Sequence, residues 1–348
     1  MTINRRGLLA GTAMLAAAGT TRTAWAARPA ATELTPGLID AAKQEGKIAW
    51  YTADDLVLAT AVAKAFEAKY ALPVQLERSG AERIYQRIAQ EYASNVSGVD
   101  VVTTSDLGHT VSWRAQNLLA SYIPAETNSW TDQAIGADGL YLIDKFTMVV
   151  CGYNSRLVKP EDAPKTWTDL LDPKWKGQLV KAHPGYSGAI TNATYALSHL
   201  LGWEFYEKLA KQSVLQVQSA TDPPMRCAQG ERAVMADAAE LSCLRMISQG
   251  APLVLVYPPE GVPLVGVGSA VMVKSTRPNA ARLFMHYLAS TECQQVNMVN
   301  GTRSFDPAAK EPENWTPLAK IKPIYNDPAD LAREAEELKK RYSKIFGV

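Results

Sequence analysis

Short apolar runs alternate with longer segments of helical periodicity between residues 47 and 119. The runs are rich in β-branched and aromatic residues and are typical of buried strands, whereas the longer segments place apolar residues on one helix face. Strands are predicted at 47–52, 73–77 and 99–103, and helices at 58–70, 81–92 and 107–119. This β-α-β-α-β order predicts a mostly parallel sheet covered by helices on both faces.

A second series of elements follows residue 145. An apolar strand is predicted at Phe146–Asn154, and Thr166 and Asp169 have the spacing of a capping box that opens a short helix. Further strands are predicted at 178–182, 233–237 and 269–274, and further helices at 188–200, 203–212, 239–248, 279–289 and 327–346. The last helix is charged and amphipathic, which predicts a packing face turned to the protein and a solvated face.

The first 26 residues have the pattern of a cleaved export signal. Arg5 and Arg6 precede an apolar run from Leu8 to Ala18 that is too short to span a bilayer, and Ala24-Trp25-Ala26 fits a cleavage site. The paired arginines favour the twin-arginine route, with the general secretory route as the alternative. A ragged N-terminus retained on the mature protein is the third possibility.

The amino-acid composition indicates the compartment of the mature protein and excludes two classes of partner. The 348 residues are 47% hydrophobic and 20% charged, as in globular proteins. Loss of residues 1–26 removes three arginines and no acid, which leaves 33 basic and 35 acidic residues, net −2. That charge attracts neither nucleic acid nor anionic lipid. No later stretch has the length of an apolar membrane helix, so we expect a soluble periplasmic protein.

The four cysteines leave two interpretations open. Cys227 and Cys243 are close enough in sequence to form a disulfide in an oxidising compartment, and buried free thiols are the alternative. Neither C-x-x-C nor a Cys/His cluster with zinc spacing occurs, so we predict no metal and no cofactor.

Small and polar residues follow each of the first three predicted strands. They are Thr52, Ala53 and Asp54 after the first strand, Ser79 and Gly80 after the second, and Ser105 after the third. Ligands of parallel α/β sheets bind beyond the carboxyl ends of the strands, so these residues predict a site at one sheet edge. Helix capping is the alternative for each of them taken singly.

Seven segments stand in a fixed order along the chain. They read YTAD, VVCGYNSRLV, APKTWTDLLDPKWKGQLV, HPGYSGA, AQGERAVMAD, VYPPEGVPL and PNAARLFMHYLASTECQQ. Together they resemble the extracellular solute-binding proteins of bacterial ABC importers, in the branch of ferric-iron binders and their relatives for phosphorylated or phosphonate solutes. The resemblance covers essentially the whole mature chain.

The resemblance implies a two-lobed type II periplasmic-binding-protein fold of class α/β, with a mostly parallel sheet in each lobe and a hinge between them. Lobe 1 is predicted at 27–149 plus 267–305, lobe 2 at 150–266, and a helical C-terminal segment at 306–348. It also implies a monomer that closes on a small-molecule solute and delivers it to an ABC permease in the inner membrane.

The segment HPGYSGA then faces the cleft, where a strand ends and a helix begins. Tyr186, Ser187 and Gly188 are predicted to bring an anion to the helix N-terminus, opposite Ser79 and Gly80. Ser187 as a simple helix cap is the alternative.

A positively charged group on the same solute would need other partners. Asp54, Asp237 and Glu240 are predicted to suit an ammonium, with the rings of Tyr186 and Tyr257 beside it. The predicted solute is thus a small organic anion or zwitterion, such as a phosphonate, a phosphorylated compound or a carboxylate.

Two other functions remain as alternatives. Iron-binding relatives typically present two adjacent tyrosines after the segment GERAVMAD, whereas this chain continues with Ala238 to Leu241 and contains no Tyr-Tyr pair. Ferric iron is therefore the second choice. A secreted enzyme is the third, because the sequence has neither G-x-S-x-G nor H-E-x-x-H.

Overall fold

The computed structural model describes residues 29–131, 134–136 and 138–348, and the predicted export signal lies outside these ranges. The helices are α1 (Pro36–Gln44), α2 (Leu56–Tyr70), α3 (Ala81–Ala93), α4 (Leu107–Ala115), α5 (Gly188–Leu201), α6 (Trp203–Ala210), α7 (Asp222–Ala228), α8 (Glu240–Ser248), α9 (Pro278–Ala289), α10 (Thr291–Val299) and α11 (Pro328–Phe346). The strands are β1 (Ile48–Thr52), β2 (Val74–Arg78), β3 (Val101–Thr104), β4 (Leu119–Ala120), β5 (Leu142–Asn154), β6 (Leu179–Ala182), β7 (Leu215–Val217), β8 (Val234–Ala239), β9 (Leu253–Val256), β10 (Val262–Met272) and β11 (Pro323–Ile324).

Eight of the strands follow one another across a sheet in the order β2-β1-β3-β10-β5-β8-β6-β7. β1 runs parallel to β2 and β3, and β6 runs parallel to β7 and β8. We call the half built on β1, β2 and β3 lobe 1, and the half built on β6, β7 and β8 lobe 2. The predicted α/β fold, with a parallel group of strands in each half, is confirmed.

The long strands β5 and β10 join the two lobes. β5 pairs with β10 over residues 142–148 and with β8 and β9 over residues 149–154, while residues 268–271 of β10 pair with β3. Both strands are antiparallel to these neighbours, unlike the predicted mostly parallel sheet. The chain enters lobe 2 on β5 and returns on β10, so the two strands must run in opposite directions.

Each lobe has its own aromatic core. In lobe 1, Phe284 of α9 lies with its ring centroid 5.1 Å from Trp50 of β1 and 4.9 Å from Phe66 of α2. In lobe 2, a buried cluster contains Trp167, Tyr206 and Tyr342. Because Tyr342 belongs to α11, the C-terminal helix contributes to the core of lobe 2.

Local sequence sets where several helices begin and end. Asp55 and Asp106 cap α2 and α4 by accepting hydrogen bonds from first-turn N–H groups. Thr166 and Asp169 form the predicted reciprocal bonds, with Thr166 Oγ1 accepting from Asp169 N at 3.1 Å and Asp169 Oδ2 accepting from Thr166 N at 3.0 Å. α4 is shorter than predicted because Asn117 takes a positive φ of 55°.

The cysteines are buried and free at all four positions, so Cys227 and Cys243 follow the free-thiol alternative. Within the described ranges, no helix has the length and apolar character that crossing a bilayer requires.

Candidate functional site

A pocket opens where strand ends of the two lobes face each other. From lobe 1 it receives the residues that follow β1, β2 and β3, and from lobe 2 those that follow β6 and β7. It is open to solvent and is lined by Ala53, Arg78, Gly80, Ala81, Arg83, Ser105, Tyr186, Ser187, Gly188, Gln218 and Ser219. We call it the interlobe pocket; it lies at the carboxyl ends of the strands, where α/β sheets bind ligands.

Two arginines give the interlobe pocket a positive charge, and none of the described residues that line it is an aspartate or glutamate. Arg78 donates from Nε to the carbonyl oxygen of Asp54 at 2.9 Å. Arg83 donates from Nη2 to the side-chain oxygen of Gln218 at 3.4 Å. Within the described ranges neither guanidinium has a carboxylate partner. Two uncompensated guanidinium groups in one small pocket favour an anionic ligand.

Two helix N-termini add to this positive potential. α3 and α5 begin after Gly80 and Ser187, and neither residue makes a side-chain cap hydrogen bond. The first intrahelical bonds run from Ile84 N to the oxygen of Gly80 and from Thr191 N to the oxygen of Ser187. The N–H groups of the earlier residues in each first turn have no intrahelical acceptor, so they suit an anion.

Close backbone contact between the lobes requires glycine at two lining positions. A Cβ atom at Gly80 would stand 2.8 Å from the carbonyl oxygen of Tyr186. A Cβ atom at Gly188 would stand 2.7 Å from Cβ of Asp106 and 3.0 Å from its nitrogen. Each glycine belongs to one lobe and touches the other, so the two lobes meet here with no room for a side chain.

Six of the twelve residues predicted from the sequence line the interlobe pocket. They are Ala53, Gly80, Ser105, Tyr186, Ser187 and Gly188. Two more lie beside it without lining it: Thr52 is buried and accepts from Asp54 N at 3.0 Å, and Ser79 donates its N–H to the oxygen of Thr52 at 3.2 Å. These contacts hold the turn that follows β1.

Asp54 does not face the interlobe pocket as predicted. The residue is only 7% exposed, and its carboxylate lies 3.1 Å from Nζ of the buried Lys145. The same Nζ also bonds Asp144 at 2.8 Å. Burial raises the pKa of Asp54, although the ammonium of Lys145 opposes that rise. An ion pair within the fold therefore already occupies this carboxylate.

Asp237 is likewise engaged inside lobe 2. Its Oδ2 lies 3.0 Å from Nζ of Lys181, and its Oδ1 accepts the N–H of Ala182 at 2.8 Å. Burial raises the pKa of Asp237, and Lys181 opposes that rise. Asp237 thus holds the backbone at the end of β6 and is absent from the pocket lining.

Glu240 and Tyr257 form a third internal group. Arg303 Nη2 donates to Glu240 Oε1 at 2.9 Å, and both side chains are fully buried. The hydroxyl of Tyr257 donates to the same oxygen at 2.7 Å. Each of the three predicted carboxylate partners of an ammonium is thus paired with a lysine or arginine of this chain.

Arg78, Arg83, Gln218 and Ser219 line the interlobe pocket but are absent from the sequence prediction. The position of Arg83 in the sequence could have indicated an anion site, because a cation in the first turn of a helix interacts unfavourably with the helix dipole unless an anion offsets it. Gln218 and Ser219 follow β7, a strand of three residues that is too short to stand out as a pattern.

Among the residues that the structure describes, no group of three His, Cys, Asp or Glu side chains is arranged to hold a metal ion.

Comparison with known proteins agrees with this architecture. Residues 57–303 match the family of bacterial extracellular solute-binding proteins. The chain belongs to that family. It is 23% identical over 293 residues, 78% of each chain, to a probable ABC transporter periplasmic-binding protein of Sinorhizobium fredii. As a member of this family, the chain is a solute-binding protein, and the relative from Sinorhizobium fredii is named as the binding component of an ABC transporter.

Two solved structures are similar over nearly their whole length. AfuA of Actinobacillus pleuropneumoniae, a periplasmic binding protein with fructose 6-phosphate bound, has a TM-score of 0.80 at 23% identity and covers 87% of this chain and 99% of its own. Iron-bound HitA of Pseudomonas aeruginosa has a TM-score of 0.73 at 23% identity and covers 85% and 99%. At these identities the likeness establishes the two-lobed type II fold.

Proposed function

We propose that the protein captures a small phosphorylated or phosphonate solute in the periplasm and delivers it to an ABC permease. The observation that carries the proposal is the charge of the interlobe pocket: two arginines and two uncapped helix N-termini converge, and no carboxylate is among the described residues that line it. A phosphoryl group offers the two negative charges and the several acceptor oxygens that this arrangement can satisfy.

The remaining lining groups suit a hydroxylated organic part. Ser105, Ser219 and Gln218 supply uncharged hydrogen-bonding groups, and the ring of Tyr186 stands at the rim, 46% exposed. The close approach of the lobes at Gly80 and Gly188 favours a solute of a few carbons over a large one. A neutral sugar would leave both guanidinium groups without a counter-charge, which disfavours it.

Delivery follows from closure of the two lobes on the solute. Each lobe contributes one helix N-terminus whose N–H groups can bind an anion without help from an arginine. These are the N-terminus of α3 in lobe 1 and that of α5 in lobe 2. A ligand that bonds both sites binds the closed form more tightly than the open form and shifts the population toward closure. The permease then has a ligand-dependent shape to recognise.

Isothermal titration of the purified mature protein tests this proposal. Because the similar AfuA structure holds fructose 6-phosphate, that compound is the first ligand, with fructose, inorganic phosphate, methylphosphonate, ferric citrate and thiamin beside it. We expect heat of binding and a raised melting temperature with phosphorylated or phosphonate compounds and none with fructose. Binding of ferric citrate or thiamin alone would contradict the proposal.

A further inference from the structure

The two arginines of the interlobe pocket are anchored on different elements. Arg78, the last residue of β2, donates from Nε to the carbonyl oxygen of Asp54 in the turn after β1. Arg83, in the first turn of α3, donates from Nη2 to the side chain of Gln218, which follows β7 in lobe 2. Arg78 is thus held within lobe 1, whereas Arg83 reaches towards the opposite lobe. The pocket therefore offers two cationic groups that are held by separate partners.

Arg78 has the geometry that a carboxylate requires. The residue is half-buried, and its bond to Asp54 uses Nε alone. Within the described ranges, its two terminal nitrogens have no acceptor in the protein, because the neighbouring Glu77 is paired with Arg87 at 2.9 Å. These two nitrogens form a planar fork that matches the two oxygens of a carboxylate.

The acids that lie next to the lining residues in sequence are engaged by other groups. Oε2 of Glu82 lies 2.7 Å from Nζ of Lys339. Asp106 caps the N-terminus of α4, and Asp222 accepts the N–H of Ser219 at 3.0 Å. The positive charge of the two pocket arginines is therefore left for a ligand to balance.

Charge balance indicates more than one anionic group on that ligand. Arg78 and Arg83 each carry one positive charge, and the N-termini of α3 and α5 each act as about half a charge, which makes about three in total. A phosphate monoester carries only about −1.5 to −2 at neutral pH. Phosphate alone would leave about one positive charge without a counter-charge in the pocket, which favours a ligand with a second anionic group.

We propose that the solute carries a carboxylate besides its phosphoryl or phosphonate group, and that Arg78 binds this carboxylate. The inference rests on the proposed function and narrows it. Arg83 and the N-terminus of α3 belong to the same helical turn, so they hold the phosphoryl group together with the N-terminus of α5. An ammonium group in place of the carboxylate would face the guanidinium of Arg78, so a zwitterionic phosphonate is disfavoured.

Two pairs of ligands measure the effect of the carboxylate by isothermal titration at neutral pH. 3-Phosphoglycerate and glycerol 3-phosphate differ by a carboxylate in place of a hydroxymethyl group, and phosphonoacetate and 2-aminoethylphosphonate by a carboxylate in place of an aminomethyl group. We expect the carboxylate of each pair to bind about tenfold tighter or more. Binding of fructose 6-phosphate with no gain from the carboxylate in either pair would overturn the inference and leave the proposed function standing. Absence of binding by all five compounds would instead refute the proposed function.

Variants of the two arginines test the assignment of Arg78. We expect Arg78→Met to weaken 3-phosphoglycerate roughly 10- to 100-fold and glycerol 3-phosphate less than about threefold, so that the preference disappears. Arg78→Lys keeps the charge without the fork and should retain part of the preference. Arg83→Met should weaken both ligands to a similar extent, because it acts on the phosphoryl group that they share.

A change in the preference between two ligands separates direct contact from damage to the fold, which would weaken both ligands together. Arg156→Met, at an exposed arginine outside the pocket, is the matched control and should keep both affinities. Equal weakening of the two ligands by Arg78→Met, or an unchanged preference, would overturn the assignment of the carboxylate to Arg78.

Discussion

Nη2 of Arg83 in lobe 1 donates a 3.4 Å hydrogen bond to the side-chain oxygen of Gln218 in lobe 2. The bond crosses the interlobe pocket, so Arg83 can contact a ligand and join the lobes at once. Because that arginine sits in the first turn of α3, its charge adds to the dipole of the helix instead of balancing it. An anion placed between the two lobes relieves this repulsion.

Arg83→Met is therefore expected to weaken binding of a phosphorylated ligand by about 1.5–3 kcal/mol, roughly 10- to 150-fold, with little change in ligand-free melting temperature. Isothermal titration with fructose 6-phosphate measures the loss. Arg156→Met removes an exposed arginine outside the pocket and serves as the control. Equal affinity of the Arg83 and Arg156 variants would contradict the anion site.

Gly188→Ala is expected to impair closure of the lobes without impairing folding. Alanine favours a helix over glycine by up to about 1 kcal/mol, so the ligand-free protein should keep or gain stability. Its Cβ would collide with Asp106 of the other lobe at 2.7 Å, so closure and binding should be impaired by tenfold or more, on the order of 1.4 kcal/mol. Gly37→Ala, in the first turn of α1 with its nearest neighbouring atom 4.0 Å away, is the matched control. Undiminished affinity of the Gly188 variant would show that the lobes need not approach this closely.

The pair formed by Glu240 and Arg303 should matter for folding rather than for ligand. Arg303→Met leaves a fully buried carboxylate without its partner, which is expected to lower the free energy of unfolding by about 3–5 kcal/mol. Arg226→Met breaks a pair with Glu231 whose side chains are 44% and 38% exposed, and should cost less than about 1 kcal/mol. Urea unfolding compares them. A large loss of affinity in folded Arg303→Met protein would restore Glu240 to the ligand site.

Acid should weaken the protein through Glu82. Contact with His109 and the ammonium of Lys339 together lower the pKa of Glu82 from its usual 4.5 to about 2, against the opposing effect of burial. Since the folded pKa lies below the unfolded one, the stabilisation is complete above pH 4.5 and disappears as the pH falls toward 2.

Between pH 5 and pH 2.5, the free energy of unfolding of the Glu82→Gln variant should therefore fall by about 1–3 kcal/mol less than that of the unaltered protein. Glu336→Gln, at a side chain that is 74% exposed, should follow the unaltered protein. Unfolding curves at a series of pH values provide the measurement, and parallel pH profiles for all three proteins would contradict the assigned pKa.

Sequence patterning predicted the half of the site that depends on local order. Strand ends and helix starts are encoded within a few residues, so the pattern assigns Ala53, Gly80 and Ser105 to one sheet edge, and the resemblance to solute-binding proteins adds the turn at Ser187 from the other lobe. The same reasoning predicted β1, β2, β3 and β5 and the longer helices of both lobes, but it missed short elements such as β7 and α7 and placed the returning strand at 269–274 instead of at β10 (Val262–Met272).

The sequence does not show whether a charged residue faces the ligand or an internal partner, because such partners are distant along the chain. Glu240 and Arg303 are 63 residues apart, and only the return of the chain on β10 brings them together. From sequence alone a free carboxylate and a buried, paired one look identical. Arg83 is different, because its place in the first turn of a helix is a local signal that the sequence prediction overlooked.

Two peptide strands running in opposite directions connect the halves of this molecule, and that has a consequence for its fragments. A protease cut within β5 would leave β1, β2 and β3 on a separate peptide held by noncovalent contacts alone, whereas a cut within β10 would leave them joined to lobe 2 through β5. A chain truncated before residue 262 lacks both β10 and α9, and with α9 the ring of Phe284 that packs on Trp50. No contiguous piece from the N-terminal side can therefore complete lobe 1, so its stability depends on synthesis of the chain beyond lobe 2.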